Sequence, residues 1–335
     1  MYRETFKNID QGKTLELIAE HGSDIFYKGE ISQDIINATQ TIHPLSGKYG
    51  LMTKEDLENY LPVYREPVQI KYRAQTIYSF PPPSSGFYFI DLFHFFFFFQ
   101  FFFKNHSFYF YFFFINIGTN FLQMFGYLEA FDLESSGQLT VESLHRMIDA
   151  QNIGFSDRNK FMGDADFVDV PIQELLDKNY IRQRRDSLTK PFSAIGTPIP
   201  PGNPAPGKGK YAVTSEDFEV GTTHWVIVDK QGNGVSFTST IEENMGSALV
   251  VPGRGFLLNN ELTDFETFES DGDGTPYANA PEGGKKLRRT ALGNDANTYG
   301  GKRPRSSMTP TIIFNNTNQE MYLLTGSPGG SSIPG

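Results

Sequence analysis

A threonine at the start of a predicted hairpin is the first candidate for chemistry. Gly221, Thr222, Thr223 and His224 open a β-type stretch that follows a Pro/Gly-rich segment. A threonine hydroxyl is a weak nucleophile and needs an adjacent base. Because threonine also favours strands for its shape, these four residues alone indicate no more than a strand start. The chain has no cysteine, which excludes a thiol nucleophile and thiolate metal sites.

Carboxylates, hydroxyls and glycines follow that threonine in a fixed order. A compact ammonium has three donors, so grouped carboxylates suit an amine, although each carboxylate alone is typical of a solvated turn. Close approach of the backbone to a reacting group favours glycine. The candidates are Thr240, Glu242, Glu261, Asp264, Ser306, Ser307, Gly329 and Gly330.

The sequences around these residues, and the order in which they occur, resemble the γ-glutamyltranspeptidase family, also called glutathione hydrolase. Upstream pieces extend the resemblance over residues 1–86 and 118–335. The pieces that carry it read YREP, PPPSSG, FSDR, GDADFV, GTTH, TSTIE, LNNELTDF, KRPRSSMTP and GSPGG.

The resemblance implies an α+β N-terminal-nucleophile hydrolase, a four-layer αββα sandwich, here expected to be truncated at both ends. Members of the family cut themselves before a threonine, which implies cleavage between Gly221 and Thr222. Residues 1–221 would then be the C-terminal part of the large subunit, and residues 222–335 the N-terminal part of the small, catalytic subunit. Cleavage frees the α-amine of Thr222, whose pKa of ~7.7–8.0 lets it act as the base.

The family's catalytic residues carry over by position. Thr240 matches the threonine whose hydroxyl bonds to the nucleophile and supports cleavage. Gly329 and Gly330 match the backbone amides of the oxyanion hole. His224 is expected to be structural rather than a base.

The substrate residues carry over in the same way. Glu242, Glu261 and Asp264 match positions that hold the α-ammonium of a γ-glutamyl group. Ser306 and Ser307 match the pair that bonds its α-carboxylate.

The implied reaction has two steps. Thr222 attacks the γ-carbonyl of glutathione or another γ-glutamyl compound and forms a γ-glutamyl ester. Water, or the amine of an amino acid or dipeptide, then resolves that ester. The resemblance implies no cofactor and no metal, and it implies an extracellular or cell-surface location.

Two other interpretations stay open. A related acylase or poly-γ-glutamate transpeptidase would use the same nucleophile with a different acyl group. An inactive fragment is the other, since the family supplies a carboxylate-binding arginine from a region upstream of this chain's first residue. The net charge of −10 argues against nucleic acid as a partner.

The elements that must position these residues are predicted to be mostly helices in the N-terminal part of the chain and mostly strands in the C-terminal part. Helices are predicted within residues 12–42, 52–60, 121–132, 141–151 and 166–186. Strands are predicted within 68–78, on both sides of a Gly-Asn-Gly turn in 223–241, and at Gly255–Leu258, 310–314 and Met321–Thr325. Residues 193–210 are rich in proline and glycine and predict a mobile, exposed linker.

A phenylalanine-rich segment interrupts this pattern. Of the 32 phenylalanines, 16 fall between Phe87 and Phe114. Its charged and polar residues argue against a membrane span. Deleting residues 87–117 joins Gly86 to Gly118 and restores a family-like sequence, so we interpret 87–117 as a retained intron.

Overall fold

The computed structural model describes residues 5–42, 47–83, 118–137, 139–188, 198–214, 221–281 and 301–329. They divide into two compact units, and helices and strands occur together in the larger one. The smaller unit takes its described residues from 1–63 and from Ile241–Asn260, and the larger unit takes the others. Each unit therefore contains chain from both sides of the predicted cleavage point, and the boundary at residue 221 does not separate compact units.

The described part of the smaller unit is built on four helices: α1 (Ile9–His21), α2 (Asp24–Tyr27), α3 (Glu30–Thr39) and α4 (Lys54–Glu58). Its core is formed by Ile18, Phe26, Ile31, Ile35, Ile36, Ala38, Leu57 and Val251. The helix predicted within residues 52–60 is confirmed as α4, and Thr53 and Asp56 form a reciprocal capping box at its start. The helical region predicted within residues 12–42 forms three helices, α1, α2 and α3.

One predicted strand is wrong in this unit. Gly255–Leu258 forms no strand, and Leu257 makes only an isolated bridge with Val250. Gly253 and Gly255 have φ of +73° and +72°, which turns the chain instead of extending it. Arg254, between them, donates to Asp34 over 2.7 Å and to Glu30 over 3.0 Å. The turn therefore serves to fasten the segment to α3.

The larger unit holds the other elements of the described chain. Its helices are α5 (Gly118–Leu128), α6 (Leu133–Ser136), α7 (Val141–Phe161), α8 (Ile172–Leu175) and α9 (Lys178–Leu188). Its strands are β1 (Val68–Tyr72), β2 (Gln75–Ser79), β3 (Thr222–Val228), β4 (Gly234–Thr240), β5 (Thr311–Asn315) and β6 (Met321–Thr325). The predicted helices and strands in these regions are confirmed, with α7 running ten residues further than predicted.

The strands form two antiparallel sheets. One has the order β1-β2-β5-β6, and the other is the β3–β4 hairpin. Ser236 of β4 links them, since its hydroxyl donates to the carbonyl of Thr325 over 2.9 Å and accepts from the amide of Thr311 over 3.2 Å. The hairpin is thereby held at the ends of β5 and β6.

The main core of this unit lies between the helices and the four-stranded sheet. It includes Ile70, Ile77, Leu122, Ile153 and Ile313. Helix α5 begins directly against the end of β2, because a Cβ on Gly118 would overlap the carbonyl oxygen of Phe80. Gly118, the first described residue after 84–117, therefore lies beside Phe80, which is close in sequence to the start of that interval.

The predicted exposed linker is in part buried. Within its described portion, Ile199 joins the core and Ala205 is buried. The amide of Gly202 donates to Asp157 over 2.7 Å, and Arg184 donates to the carbonyl of Pro200 over 2.9 Å. The prediction of exposure is therefore wrong for Ile199 and Ala205, whereas Lys208 and Lys210 are exposed as predicted.

The Phe-rich segment 87–117, and the membrane span considered for it, lie outside the described residues. Among the helices that the structure does describe, none is long and apolar enough to cross a bilayer.

Candidate active site

The β3–β4 hairpin fixes the position of the candidate nucleophile. Its turn is held by Asp229, whose carboxylate accepts from the amides of Gln231 and Asn233 over 2.8 Å each. Turn geometry sets strand register. That register places Thr222, the first residue of β3, opposite Thr240, the last residue of β4.

Two hydrogen bonds join the Thr222 hydroxyl, the Thr240 hydroxyl and the Gly221 carbonyl in a row at the open end of the hairpin. Thr240 Oγ1 donates to the carbonyl oxygen of Gly221 over 2.6 Å. A hydroxyl has one hydrogen, so Thr240 is an acceptor in its 3.4 Å contact with Thr222 Oγ1. The carbonyl that precedes Thr222 is therefore polarised by the residue that also contacts the Thr222 hydroxyl. Gly221 has φ of +153°, a conformation reserved almost wholly for glycine.

His224 is engaged elsewhere. Its Nδ1 lies 2.7 Å from Thr238 Oγ1, and Gly326 packs directly on the ring. Burial lowers the pKa of His224, which favours a neutral ring. These contacts agree with a structural role.

Glu261 and Asp264 lie on one turn of 3₁₀-helix spanning Glu261–Asp264. Side chains three residues apart eclipse in that geometry, so both carboxylates belong to one face. Glu261 is buried. The carbonyl of Asp264 accepts from the Nδ2 of Asn279 over 2.6 Å.

Asn279 connects this turn to the serine pair. It is fully buried, and its Oδ1 accepts from the amide of Arg305 over 2.7 Å. Ser306 and Ser307 follow directly and are both buried. The turn that carries Glu261 and Asp264 is thus linked to the segment of the serine pair through one amide side chain.

The serine pair has its own supports. Ser307 Oγ accepts from Arg158 Nη2 over 2.9 Å, between two side chains that are 3% exposed or less. Upstream of the serines, the amide of Arg303 donates to Asp164 over 2.9 Å. Burial raises the pKa of Asp164 to about 6. Burial also lowers the pKa of Lys302 to about 8, while its ammonium donates to the carbonyls of Ala278 and Ala280 over 3.1 and 2.6 Å.

Glu242 belongs to the smaller unit. It is buried, has φ of +72°, and accepts a hydrogen bond from Asn260. Asn260 in turn accepts from the amide of Glu243 over 3.0 Å. A glutamate held in the left-handed region marks a strained position of the kind that clusters at functional sites.

Of the two candidate oxyanion glycines, only Gly329 is described. It has φ of +139°, which a residue with a side chain rarely adopts. Gly330 lies outside the described residues.

Comparison with known proteins identifies the family. The model of the γ-glutamyltranspeptidase family matches residues 2–101 and 116–335. The chain belongs to this family. The unmatched interval, 102–115, falls inside the Phe-rich segment.

Two relatives show how much of their own length this chain covers. The glutathione hydrolase proenzyme of Escherichia coli strain K12 is 34% identical over 331 residues, and that of Bacillus subtilis strain 168 is 30% identical over 336. Each match covers 98% of this chain and 46% of the relative. The chain thus spans about half the length of these curated relatives.

A solved structure confirms the fold class. Cephalosporin acylase from Bacillus halodurans aligns over 100% of this chain and 46% of its own, with a TM-score of 0.67 and 22% identity. At that identity the likeness concerns the fold alone. The predicted N-terminal-nucleophile hydrolase fold is therefore confirmed for this γ-glutamyltranspeptidase chain.

Sequence reasoning assigned no role to Arg158, Asp164 or Asn279. Arg158 and Asp164 lie in pieces that carry the family resemblance, FSDR and GDADFV, and that resemblance was the signal available for finding them. Asn279 lies in no such piece. All three support the segment that contains the serine pair.

Proposed function

We propose that this chain carries the cleavage point and much of the catalytic apparatus of a γ-glutamyltransferase, or glutathione hydrolase. The observation that carries the proposal is the 2.6 Å hydrogen bond from Thr240 to the carbonyl of Gly221. It withdraws electron density from the carbonyl carbon next to the Thr222 hydroxyl. Family membership supplies the substrate class.

Self-cleavage is the first step. Thr222 Oγ adds to the carbonyl carbon of Gly221, the bond from that carbon to the Thr222 nitrogen breaks, and the hydroxyl proton passes to the nitrogen. Water then hydrolyses the resulting ester. Gly221 ends in a carboxylate, and Thr222 gains a free α-amine that acts as its base.

Catalysis repeats the same chemistry on a γ-glutamyl compound such as glutathione. Thr222 Oγ attacks the γ-carbonyl, the amine portion leaves with a proton, and a γ-glutamyl ester remains. Water completes hydrolysis, whereas an amino acid or dipeptide amine completes transfer. Glu242, Glu261 and Asp264 would hold the α-ammonium, and Ser306 with Ser307 the α-carboxylate.

The remaining role concerns the oxyanion. The backbone amides of Gly329 and Gly330 would donate hydrogen bonds to the negative oxygen of the tetrahedral intermediate.

We also propose an extracellular or cell-surface location, which rests on the family and is tested by fractionating the native source.

The decisive experiment follows the purified chain over time on a denaturing gel. Cleavage gives two bands, and the smaller product has the N-terminal sequence TTHWVIV. Thr222→Ala is the matched control and stays intact. A single uncut wild-type chain contradicts the proposal and supports the inactive-fragment interpretation.

Substrate class is tested on the cleaved protein. Release of the chromophore from a γ-glutamyl anilide supports the γ-glutamyl assignment. Release only from anilides of acyl groups that lack the α-amine and α-carboxylate supports the acylase alternative.

A further inference from the structure

A buried arginine reaches one of the two candidate carboxylate-binding serines. Arg158 lies near the C-terminal end of α7 and is 3% exposed. Its Nη2 donates to Ser307 Oγ over 2.9 Å, between residues 149 positions apart. The two residues also lie on opposite sides of the Gly221–Thr222 bond.

The guanidinium is held in place from several directions. Its carbon lies 5.2 Å from the centre of the Phe155 ring, and Nη1 lies 3.4 Å from Asn159 Oδ1. A cation over an aromatic face is attracted to it. The end of a helix also favours a positive side chain. Arg158 is thus placed by its own helix before it meets Ser307.

This contact determines which way the Ser307 hydroxyl donates. A guanidinium is a donor only, so the serine oxygen must act as the acceptor. The single hydroxyl hydrogen of Ser307 then remains to donate to another acceptor. The permanent positive charge of Arg158 also favours an anion next to Ser307.

We propose that Arg158 is a positioning residue for the α-carboxylate of the γ-glutamyl group. It acts through Ser307, whose hydroxyl it orients as a donor toward that carboxylate. The inference rests on the proposed function, because it takes the Ser306–Ser307 pair as the carboxylate site. After self-cleavage the same contact joins the two resulting chains.

The experiment compares three anilides that differ only in the acyl group. The γ-glutamyl anilide has both the α-amine and the α-carboxylate. The glutaryl anilide lacks the amine, and the 4-aminobutyryl anilide lacks the carboxylate. Wild type, Arg158→Gln, Arg158→Lys and Ser307→Ala are measured after cleavage, and L-glutamate binding is measured separately by calorimetry.

Arg158→Gln should raise KM for the γ-glutamyl and glutaryl anilides by about 10- to 100-fold, the usual effect of losing a hydrogen bond to a charged group. KM for the 4-aminobutyryl anilide should be unchanged. L-Glutamate binding should weaken by a similar factor. Arg158→Lys, which keeps the charge, should recover part of the loss, and it carries the test if Arg158→Gln does not fold.

Coupling through Ser307 is tested by the double variant. In the Ser307→Ala background, Arg158→Gln should add little, because its route to the carboxylate is already gone. Arg184→Gln is the matched control. Arg184 is also largely buried but pairs with Asp157, so its loss should affect all three anilides in parallel.

The outcomes separate the inference from the proposed function. Equal losses on all three anilides, or full additivity with Ser307→Ala, overturn the role of Arg158 and leave the function standing. A wild type that binds L-glutamate in an Arg158-dependent way but hydrolyses no anilide overturns the function alone. A wild type that neither binds nor hydrolyses overturns both.

Discussion

Thr240 has one hydroxyl hydrogen, and its direction determines what the threonine pair can do. The structure directs it to the carbonyl of Gly221 over 2.6 Å, which leaves the Thr240 oxygen to accept from Thr222. Thr240 is therefore placed to stabilise negative charge that develops on the Gly221 oxygen during cleavage.

Thr240→Val keeps the shape of the side chain and removes that donor. We expect self-cleavage to slow by about 100-fold or more, the cost of losing one oxyanion donor. Thr240→Ser keeps the hydroxyl and should stay within about tenfold of wild type. The half-time of band splitting measures both. Cleavage of Thr240→Val at the wild-type rate would rule out a role for this hydrogen bond.

The buried carboxylate of Asp164 should make the stability of the protein depend on pH. Its carboxylate is fully buried, accepts from the amides of Asp166 and Arg303, and lies 3.8 Å from Arg65. Burial outweighs these contacts and raises its pKa from 3.8 to about 6. The folded state therefore holds this proton more tightly than the unfolded state does.

The sign of the pH dependence follows from that difference. The stability due to protonated Asp164 is fully present below about pH 4 and is lost as the pH rises through 6, a change of roughly 3 kcal/mol. Asp164→Asn cannot titrate. Its free energy of unfolding relative to wild type should therefore increase between pH 4 and 7, as followed by denaturant titration. Parallel curves for the two proteins would contradict this assignment.

At the scale of elements, the hairpin depends on a loop that passes close to its side. Gly326 follows β6, and a Cβ there would overlap the imidazole of His224. His224 lies two residues from Thr222 on β3 and is bound to Thr238 across the hairpin. The start of β3 is therefore sensitive to the packing of residue 326.

Gly326→Ala should displace the imidazole and break its bond to Thr238. We expect a loss of stability of about 1–3 kcal/mol, as for other overpacked sites, together with slower self-cleavage. Gly272→Ala is the control, because no atom lies within 4 Å of its Cβ position, and its effect should stay within about 0.5 kcal/mol. Thermal unfolding compares the two, and equal effects would show that the His224 contact is unimportant.

Elements set by local spacing were predictable from the sequence, whereas contacts between distant residues were not. The helix within residues 52–60 followed from its local pattern, and its capping box joins Thr53 and Asp56, which are only three residues apart. The hairpin followed from its turn. The burial of Ile199 depends on a core made by other elements, and the contact of Arg158 with Ser307 joins residues 149 positions apart. No local pattern contains that information.

At the scale of the whole molecule, the Phe-rich segment is the feature that the fold explains least. The family match stops at residue 101 and resumes at 116. Phe80, at the end of β2, contacts Gly118, at the start of α5. Without 87–117, six residues, 81–86, would be left to join those two points, which is an ordinary length for a connection. We propose that residues 87–117 are a retained intron, on the ground of the unmatched interval 102–115 and of this short connection.

Deleting residues 87–117, so that Gly86 precedes Gly118, tests this proposal on the protein itself. The deletion removes 16 of the 32 phenylalanines and no residue assigned to the site. We expect the shortened chain to cut itself at Gly221–Thr222 at least as fast as the full chain. It should also aggregate less, because a long apolar run is lost. Light scattering and the gel assay measure the two effects. Loss of folding or of cleavage on deletion would show that the segment belongs to the native protein, and a spliced transcript that still encodes it would show the same.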